Sequence, residues 1–280
     1  MVAANACKQM GEATLSADFD GKIVVVTGAS TGLGRAIALE VAGRGARAVV
    51  VNYANSAAEA EETAAMVREA GAEAVLVRAD VGEDDSCIAI AKAAEGFGRI
   101  DALFNNAGIT RFARDHSNLD AVSADDFLAI YRINVVGGFQ MVRAARSLLE
   151  AGESPGAVVM TSSIAGVAGI GSSVAYAASK GALNTMTISL ARALAPKIRV
   201  NAVCPGFIDT PWFGRGLDED ALERMRAGVA ASTPLKVASK AEDIAAAAVF
   251  LASPASRHVT GETLLVDAGS HLGYAPLVAR

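Results

Sequence analysis

Two kinds of segment alternate along this chain, and that alternation constrains the fold more than any other feature of the sequence. Short runs rich in Val, Ile and Ala are separated by longer, Ala-rich segments of helical period, which is typical of βαβ units around a parallel sheet. Most of the short runs are continuously apolar, so helices should cover both faces of the sheet. The sequence therefore predicts an α/β fold with a doubly wound, seven-stranded parallel sheet. The strands are predicted at 23–27, 48–52, 74–79, 100–105, 157–162, 198–203 and 262–266, and the helices at 34–42, 57–70, 84–97, 123–150, 176–195, 218–229 and 241–252.

Charge and hydropathy exclude two classes of partner. The 25 Lys and Arg residues stand against 30 Asp and Glu, which gives a formal net charge of -5. Such a surface has no basic field to attract nucleic acid or anionic lipid. No apolar run approaches the roughly 18 residues that a membrane span needs. We therefore expect neither a nucleic-acid partner nor a membrane segment.

Cysteine and histidine usage indicates a reducing compartment and no metal chemistry. Cys7, Cys87 and Cys204 lie far apart and form no CxxC pair, which is typical of a cytoplasmic protein without a disulfide framework. The three histidines show no ligand spacing, so we expect no protein-bound metal. Residues 1–20 hold no apolar run of signal-peptide length. We expect residues 1–20 to form a flexible extension. Residues 21–280 are expected to form a single dinucleotide-binding catalytic domain, on the basis of the motifs described next.

A glycine-rich turn, TGASTGLG at 27–34, follows the first predicted strand and opens the first predicted helix. Glycine permits a tight turn and lets the backbone approach a pyrophosphate, while the helix N-terminus supplies free amide hydrogens and a positive dipole end. The order of strand, turn and helix predicts a Rossmann-type fold that binds a dinucleotide. The turn residues expected to contact the cofactor are Gly28, Ser30, Thr31, Gly32, Leu33 and Gly34.

The TGxxxGxG spacing resembles that of the short-chain dehydrogenase/reductase family, and the resemblance extends from about residue 21 to 269. It continues in Asp80-Val81, in NNAG at 105–108, in a YxxxK motif at Tyr176 and Lys180, and in Pro205-Gly206. The resemblance implies that Asp80 and Val81 flank an adenine. It further implies that Asn106, Ala107 and Gly108 shape the adenosine pocket, and that Pro205, Gly206, Ile208 and Thr210 line the nicotinamide side. Tyr176 and Lys180 are also expected to contact the cofactor.

The end of the second strand bears on the choice between NAD(H) and NADP(H). A carboxylate there would bond the ribose 2′-hydroxyl and repel a 2′-phosphate, but the chain has Asn52 and Tyr53, followed by Ser56. These donors tolerate a phosphate, and the stretch resembles that of NADPH-linked naphthol reductases in the family. The loop carries no basic residue, and Thr31 stands where many NADP enzymes have Arg or Lys. NADP(H) is favoured, and NAD(H) stays open.

The reaction centre is predicted around the YxxxK motif. Hydride transfer to a ketone leaves negative charge on the oxygen, so the site needs a proton donor and a hydrogen-bond donor. Tyr176 and Lys180 share one helix face, and the ammonium should lower the tyrosine pKa from about 10. The resemblance selects Ser163 over Ser162 as the second hydroxyl. It implies that Asn134 distorts its helix and holds a water that relays protons to the lysine. We predict that Tyr176 is the general acid or base in interconverting a ketone and a secondary alcohol.

Two segments without clear periodicity, 110–122 and 207–217, are expected near the substrate. Trp212 and Phe213 indicate an apolar wall for a small-molecule ketone or alcohol, or else they pack as ordinary core. Segment 110–122 is expected to rim the mouth of the site. A glucose-type sugar dehydrogenase and a 3-oxoacyl thioester reductase stay open as alternatives, although the acidic stretch 150–155 would repel an acidic carrier protein.

Other classes of function fit less well. No GxSxG elbow is present and Ser163 has no histidine partner in the motif, which disfavours hydrolysis. A non-catalytic NADP-sensing regulator would not need all of Asn134, Ser163, Tyr176 and Lys180. The resemblance implies a tetramer, and the Ala-rich 137–149 and the apolar 264–278 suit such contacts. We therefore predict a homotetramer.

Overall fold

The computed structural model describes residues 18–113, 115–214 and 218–273, and one parallel sheet runs through them. The sheet order is β3-β2-β1-β4-β5-β6-β7, and every pair of neighbours is parallel. This confirms the predicted Rossmann-type, doubly wound sheet of seven strands. The strands are β1 (Ile23–Val26), β2 (Ala48–Tyr53), β3 (Glu73–Arg78), β4 (Ala102–Asn105), β5 (Gly156–Thr161), β6 (Ile198–Pro205) and β7 (Thr263–Val266).

Helices connect the strands in the predicted alternation. They are α1 (Gly32–Gly43), α2 (Ala57–Glu69), α3 (Asp84–Lys92), α4 (Ala124–Tyr131), α5 (Gly138–Glu150), α6 (Ala165–Ala168), α7 (Val174–Leu194), α8 (Pro211–Gly214), α9 (Glu219–Ser232) and α10 (Ala241–Ala252). The single helix predicted at 123–150 is divided by a π-helix at Arg132–Gly137. The helix predicted at 84–97 ends at Lys92 and is followed by a 3-10 turn at Glu95–Phe97.

Two apolar clusters cover the two faces of the sheet, as the continuous apolar strands predict. Along β1 the side chains alternate between them: Val24 and Val26 pack with α1 and α10, whereas Ile23 and Val25 pack with α3, α5 and α7. Both clusters consist mainly of Val, Ile, Leu and Ala, all nearly free of solvent contact. The sheet is therefore held rigidly between two helix layers, and the ends of its strands can present loops at fixed positions.

The predicted boundary between an extension and the domain at residue 21 is too late. Phe19 is buried in the cluster with α1, where enclosing such a side chain stabilises by about 1.5–3 kcal/mol. Asp18 pairs with Arg44 at 3.1 Å. Residues 18–20 therefore belong to the folded domain, and residues 1–17 lie outside the described residues.

Within those same described ranges, no helix combines the length and the apolar character that crossing a bilayer requires.

Candidate active site

The strand order reverses between β1 and β4, and the site forms at the carboxyl ends of these strands. Ligands of doubly wound sheets bind in the crevice at such a reversal. Thr27, directly after β1, accepts hydrogen bonds at its Oγ1 from the backbone N–H of Asn106 and of Ala107, each at 3.0 Å. In return, Asn106 Nδ2 donates to the carbonyl oxygens of Thr27 and Gly28 at 3.2 and 3.1 Å. The glycine-rich turn is thus tied to the end of β4.

The turn itself has the geometry of an anion cradle. A Cβ at Gly34 would lie 2.2 Å from the carbonyl oxygen of Gly28 and 2.7 Å from Asn106 Nδ2, so only glycine fits there. The turn leads into α1, where the N-cap residue Thr31 makes no side-chain capping bond. The first amide groups of this helix therefore remain available to an anion. These residues fit the pyrophosphate of a dinucleotide.

The stretch after β6 lies over this turn, where a nicotinamide would be expected. The Pro205 carbonyl accepts from Ile164 N at 2.8 Å and from Ser163 Oγ at 3.5 Å. Thr210 lies beside Gly32, since a Cβ built on that glycine would be 3.4 Å from the Thr210 Cβ. Its hydroxyl donates to the carbonyl of Ile208 at 3.4 Å. Of the predicted nicotinamide-side residues, Thr210 therefore reaches the glycine turn, while Pro205 contacts the segment that carries Ser163.

The predicted adenine residues follow β3. Val81 is buried, and the half-exposed Asp80 accepts from Gly82 N at 2.9 Å. Arg132 from the π-helix pairs with Glu83 and lies 3.9 Å from Asp80. The loop after β3 is thereby joined to the helix that carries Asn134.

The prediction that Asn52 offers a free donor to a 2′-phosphate is wrong. Its side chain is 1% exposed. Nδ2 donates to the carbonyls of Val77 and Ala79 at 3.2 and 2.9 Å, and Oδ1 accepts from Gly28 N at 3.3 Å. Both amide protons are used, so Asn52 positions the glycine turn against β2 and β3. Tyr53, the next residue, is only partly buried.

Helix α7 begins two residues before its predicted start and carries the YxxxK motif on its first turns. Ser173 caps it by accepting from Tyr176 N at 3.2 Å. Lys180, one turn later, is buried, donates from Nζ to the Thr161 carbonyl at 2.6 Å, and has its ammonium 5.5 Å from the Tyr176 ring centroid. Burial lowers the pKa of Lys180 to about 8. The ammonium form therefore still dominates near neutral pH.

The pKa of Tyr176 shifts in the direction opposite to the one expected from the sequence. Burial raises the pKa of Tyr176 to about 12, and the nearby Ser163 hydroxyl only partly offsets that rise. Loss of water contact around the phenol outweighs the stabilisation of phenolate that we expected from the lysine. Tyr176 is therefore a phenol at neutral pH, which suits a proton donor. Ser162 does not compete with Ser163, because it is buried and bonds to the Lys180 carbonyl at 3.1 Å.

Asn134 lies in the π-helix Arg132–Gly137, so the helix is distorted where the resemblance implied. Its Oδ1 accepts from Ile109 N at 2.8 Å, while Nδ2 donates to the Ile109 carbonyl and to Ser179 Oγ, each at 3.0 Å. Asn134 thus links the loop after β4 to the residue beside Lys180. Gly108 lies against Asn134: a Cβ added at Gly108 would be 3.2 Å from Asn134 Oδ1.

Aromatic side chains from three segments enclose one side of the crevice. The Trp212 ring centroid lies 6.3 Å from that of Tyr176. Phe213 contacts Phe207 at 4.9 Å and Phe112 at 6.4 Å between centroids. Segment 110–122 reaches this wall because Ala113 N donates to the Ser172 carbonyl at 2.7 Å and Thr110 bonds the Ser172 hydroxyl. Trp212 and Phe213 are only partly buried. Of the two segments predicted near the substrate, residue 114 and residues 215–217 lie outside the described residues.

A family model described as "Enoyl-(Acyl carrier protein) reductase" matches residues 28–271. The chain belongs to the short-chain dehydrogenase/reductase family. It is an NAD(P)-dependent oxidoreductase that interconverts ketones and alcohols.

Relatives of this short-chain dehydrogenase/reductase match it over most of their length. A protein of Streptomyces violaceoruber, provisionally named as ketoacyl reductase 2 of the granaticin polyketide synthase, is 40% identical over 90% of this chain and 97% of its own. Versicolorin reductase 1 of Dothistroma septosporum is 36% identical over 90% and 96%. A short chain dehydrogenase from Burkholderia cenocepacia J2315, solved in complex with NADP, is 33% identical over 91% and 99%, with a TM-score of 0.80.

Three residues of the site were missed from the sequence. Phe112 lay in a segment without periodicity and gave no signal. Ser173 and Ser179 each gave a signal. Ser173 stands three residues before Tyr176, where a serine is typical of an N-cap. Ser179 stands three residues after Tyr176, so it lies on the same side of the helix.

Proposed function

We propose that this enzyme is an NADPH-dependent reductase of apolar, aromatic ketones in which Tyr176 is the proton donor. The observation that carries the proposal is the convergence on Tyr176: the Lys180 ammonium and the Trp212 ring centroid lie 5.5 and 6.3 Å from its ring centroid, and the Ser163 hydroxyl partly offsets the rise in the pKa of its phenol. The aromatic wall supports an aromatic substrate. Two rings that pack edge to face gain about 0.5–1.5 kcal/mol in addition to the free energy of burying their surface. Relatives named for a polyketide synthase and for versicolorin support the same substrate class.

NADP(H) is favoured over NAD(H) because no carboxylate follows β2 to repel a 2′-phosphate. The NADP complex of the Burkholderia cenocepacia protein supports that choice. When bound, NADPH supplies a hydride to the carbonyl carbon. We assign the binding of NADPH to the glycine turn, to Asp80 and Val81, to residues 106–108, and to the stretch from Pro205 to Thr210.

The chain's own residues handle the oxygen of the substrate. Tyr176 gives its phenol proton to the carbonyl oxygen as the C=O π bond is lost, so an O–H bond forms and a phenolate remains on Tyr176. Ser163 donates a hydrogen bond to the same oxygen while negative charge develops there. The Lys180 ammonium stabilises the phenolate until solvent returns the proton. Asn134 fixes the loop and helix between which these groups lie.

Replacing Tyr176 by phenylalanine tests this assignment. Loss of a general acid lowers kcat by about 10²–10⁴-fold, while NADPH affinity, measured by fluorescence titration, stays within twofold. The matched control is Tyr131→Phe, because Tyr131 lies on another helix, α4, where its ring stacks on that of Phe127 at 5.2 Å between centroids. A Tyr176→Phe enzyme with wild-type turnover would contradict the assignment.

The substrate class is tested on the wild type with a polycyclic aromatic ketone, an aldose and a 3-oxoacyl thioester. The aromatic ketone should have the highest kcat/KM. Preference for the aldose would favour a sugar dehydrogenase, and preference for the thioester would favour an acyl reductase. Binding of NADPH without turnover of any of them is the result expected of a cofactor-sensing regulator.

A homotetramer in the cytoplasm is the remaining part of the proposal. Exposed apolar side chains lie on α4, the π-helix, α5 and α7, namely Leu128, Val136, Phe139 and Ile188. Exposed apolar surface of this kind supports a subunit interface. The free, buried thiols of Cys87 and Cys204 suit a reducing compartment. Light scattering should give about four times the 28.5 kDa chain mass, and a monomer would contradict the tetramer.

A further inference from the structure

Arg78 ends the edge strand β3 beside the loop that follows β2. The parallel register pairs Tyr53 with Arg78. Arg78 Nε donates to the Ala54 carbonyl at 3.3 Å, and the side chain is exposed. The guanidinium therefore lies against the 53–56 loop, although it is 25 positions along the chain from its strand partner.

Two other polar side chains near this loop, those of Asn52 and Arg35, are already engaged. Asn52 has used both amide protons. Arg35 Nε donates to the Ser30 carbonyl and to Thr63 Oγ1, and its Nη2 bonds Glu62 at 3.1 Å. For Arg78, by contrast, the described parts of the chain contain no carboxylate within salt-bridge distance, and the bond to Ala54 occupies one N–H. Its remaining N–H groups are free to bind an anion.

We propose that Arg78 binds the 2′-phosphate of NADP(H) and sets the preference for that cofactor over NAD(H). The inference rests on the proposed function, because it requires the adenosine ribose to lie at the carboxyl end of β2. A guanidinium matches two phosphate oxygens at once, and such charge-assisted bonds are about twice as strong as neutral ones. The Ser56 hydroxyl, which makes no capping bond to α2, offers a neutral donor from the same loop.

The charge balance explains why a neutral loop would not suffice. The first turn of α2 carries Glu59, and Glu62 follows one turn later. Arg35 pairs with Glu62, which leaves Glu59 to repel an incoming phosphate. An asparagine at position 52 only avoids adding another negative charge. Arg78 supplies the attraction.

The experiment uses adenosine fragments so that catalysis plays no part. Binding of 2′,5′-ADP and of 5′-ADP is measured by titration calorimetry on the full-length wild type, on Arg78→Gln and on Arg68→Gln. Arg68 is the matched control: it is exposed, and its guanidinium likewise donates to a backbone carbonyl at 3.3 Å, that of Ala74 near the start of β3. We expect Arg78→Gln to bind 2′,5′-ADP about tenfold to a hundredfold more weakly, as loss of a charge-assisted bond implies, with 5′-ADP unchanged.

Arg68→Gln should bind both fragments as the wild type does, and Arg78→Lys should recover part of the loss because it restores the charge. The advantage of 2′,5′-ADP should also decrease as salt is added to the wild type. If Arg78→Gln weakens both fragments equally, or neither, the assignment of Arg78 is overturned while the proposed cofactor stands. If the wild type binds neither fragment, the proposed function fails and the assignment of Arg78 fails with it.

Discussion

Replacing Gly166 by alanine should displace the helix that carries Lys180. Gly166 lies in α6, which packs directly on α7. A Cβ added there would be 2.4 Å from the carbonyl carbon of Lys180 and 2.7 Å from both the Lys180 oxygen and Gly181 N. These are backbone atoms of a long helix and cannot rotate away. The two helices would have to separate by about 1 Å to reach ordinary contact distance.

The facing glycine provides a control on the same interface. A Cβ at Gly181 would lie 3.6 Å from the Gly166 carbonyl oxygen, which is an ordinary contact. Alanine inside α7 should therefore stabilise by about 0.5–1 kcal/mol through helix propensity. Overpacking at Gly166 should cost about 1–3 kcal/mol. The free energies of unfolding of the two variants should thus differ by about 1.5–4 kcal/mol, or about 3 °C or more in Tm.

Urea denaturation gives these free energies, and steady-state reduction gives kcat. Gly166→Ala should lose stability and turnover together, because the Lys180 backbone must move with the helix. Gly181→Ala should keep its turnover. A Gly166→Ala protein as stable as the wild type would refute the packing argument, whatever its activity.

Three further predictions concern the site. The kcat of reduction should fall as pH rises above about 8. Burial lowers the pKa of Lys180 to about 8, so above that pH it loses the charge that stabilises the Tyr176 phenolate. A flat pH profile of kcat across that range would contradict this role. Between that pH and 10.5 the unfolded chain holds a proton on Lys180 that the folded chain lacks, so the free energy of unfolding of the wild type should rise with pH relative to Lys180→Met. Phe112→Ala should raise the KM for a polycyclic ketone about three- to tenfold through loss of ring contacts, and it should leave the KM for a small ketone unchanged. The control Phe127→Ala, on α4, should leave both KM values unchanged.

The fold could be predicted because the strands are apolar on both faces and the helices are long enough to show a period. Each predicted strand overlaps an observed one, with differences of a few residues at the ends. Helices α6 and α8 are only four residues long, which is too short for any period to appear. The division of the helix at 123–150 also left no mark on the apolar pattern, and only the family resemblance indicated it.

The site was predictable where spacing along one helix decides geometry, as for Tyr176 and Lys180. It was not predictable where burial or strand pairing decides. The pKa of Tyr176 depends on how much water the surrounding loops exclude, and Asn52 is buried because β3 lies beside it. Arg78 likewise gave no usable signal: aligning the ends of the predicted strands 48–52 and 74–79 would set it beside Val51, whereas the observed register pairs it with Tyr53.

The π-helix at Arg132–Gly137 makes the length of this stretch as important as its composition. Helix α4 packs on α7, whereas α5 packs on α3 and on the sheet. Removing one residue between them would rotate all of α5 by about 100°. Met141, Val142 and Ala145, now buried against the sheet, would turn toward solvent. Proteins that share this architecture should therefore vary in sequence through the stretch and rarely in the number of residues, and a single-residue deletion there should do more harm than any one substitution.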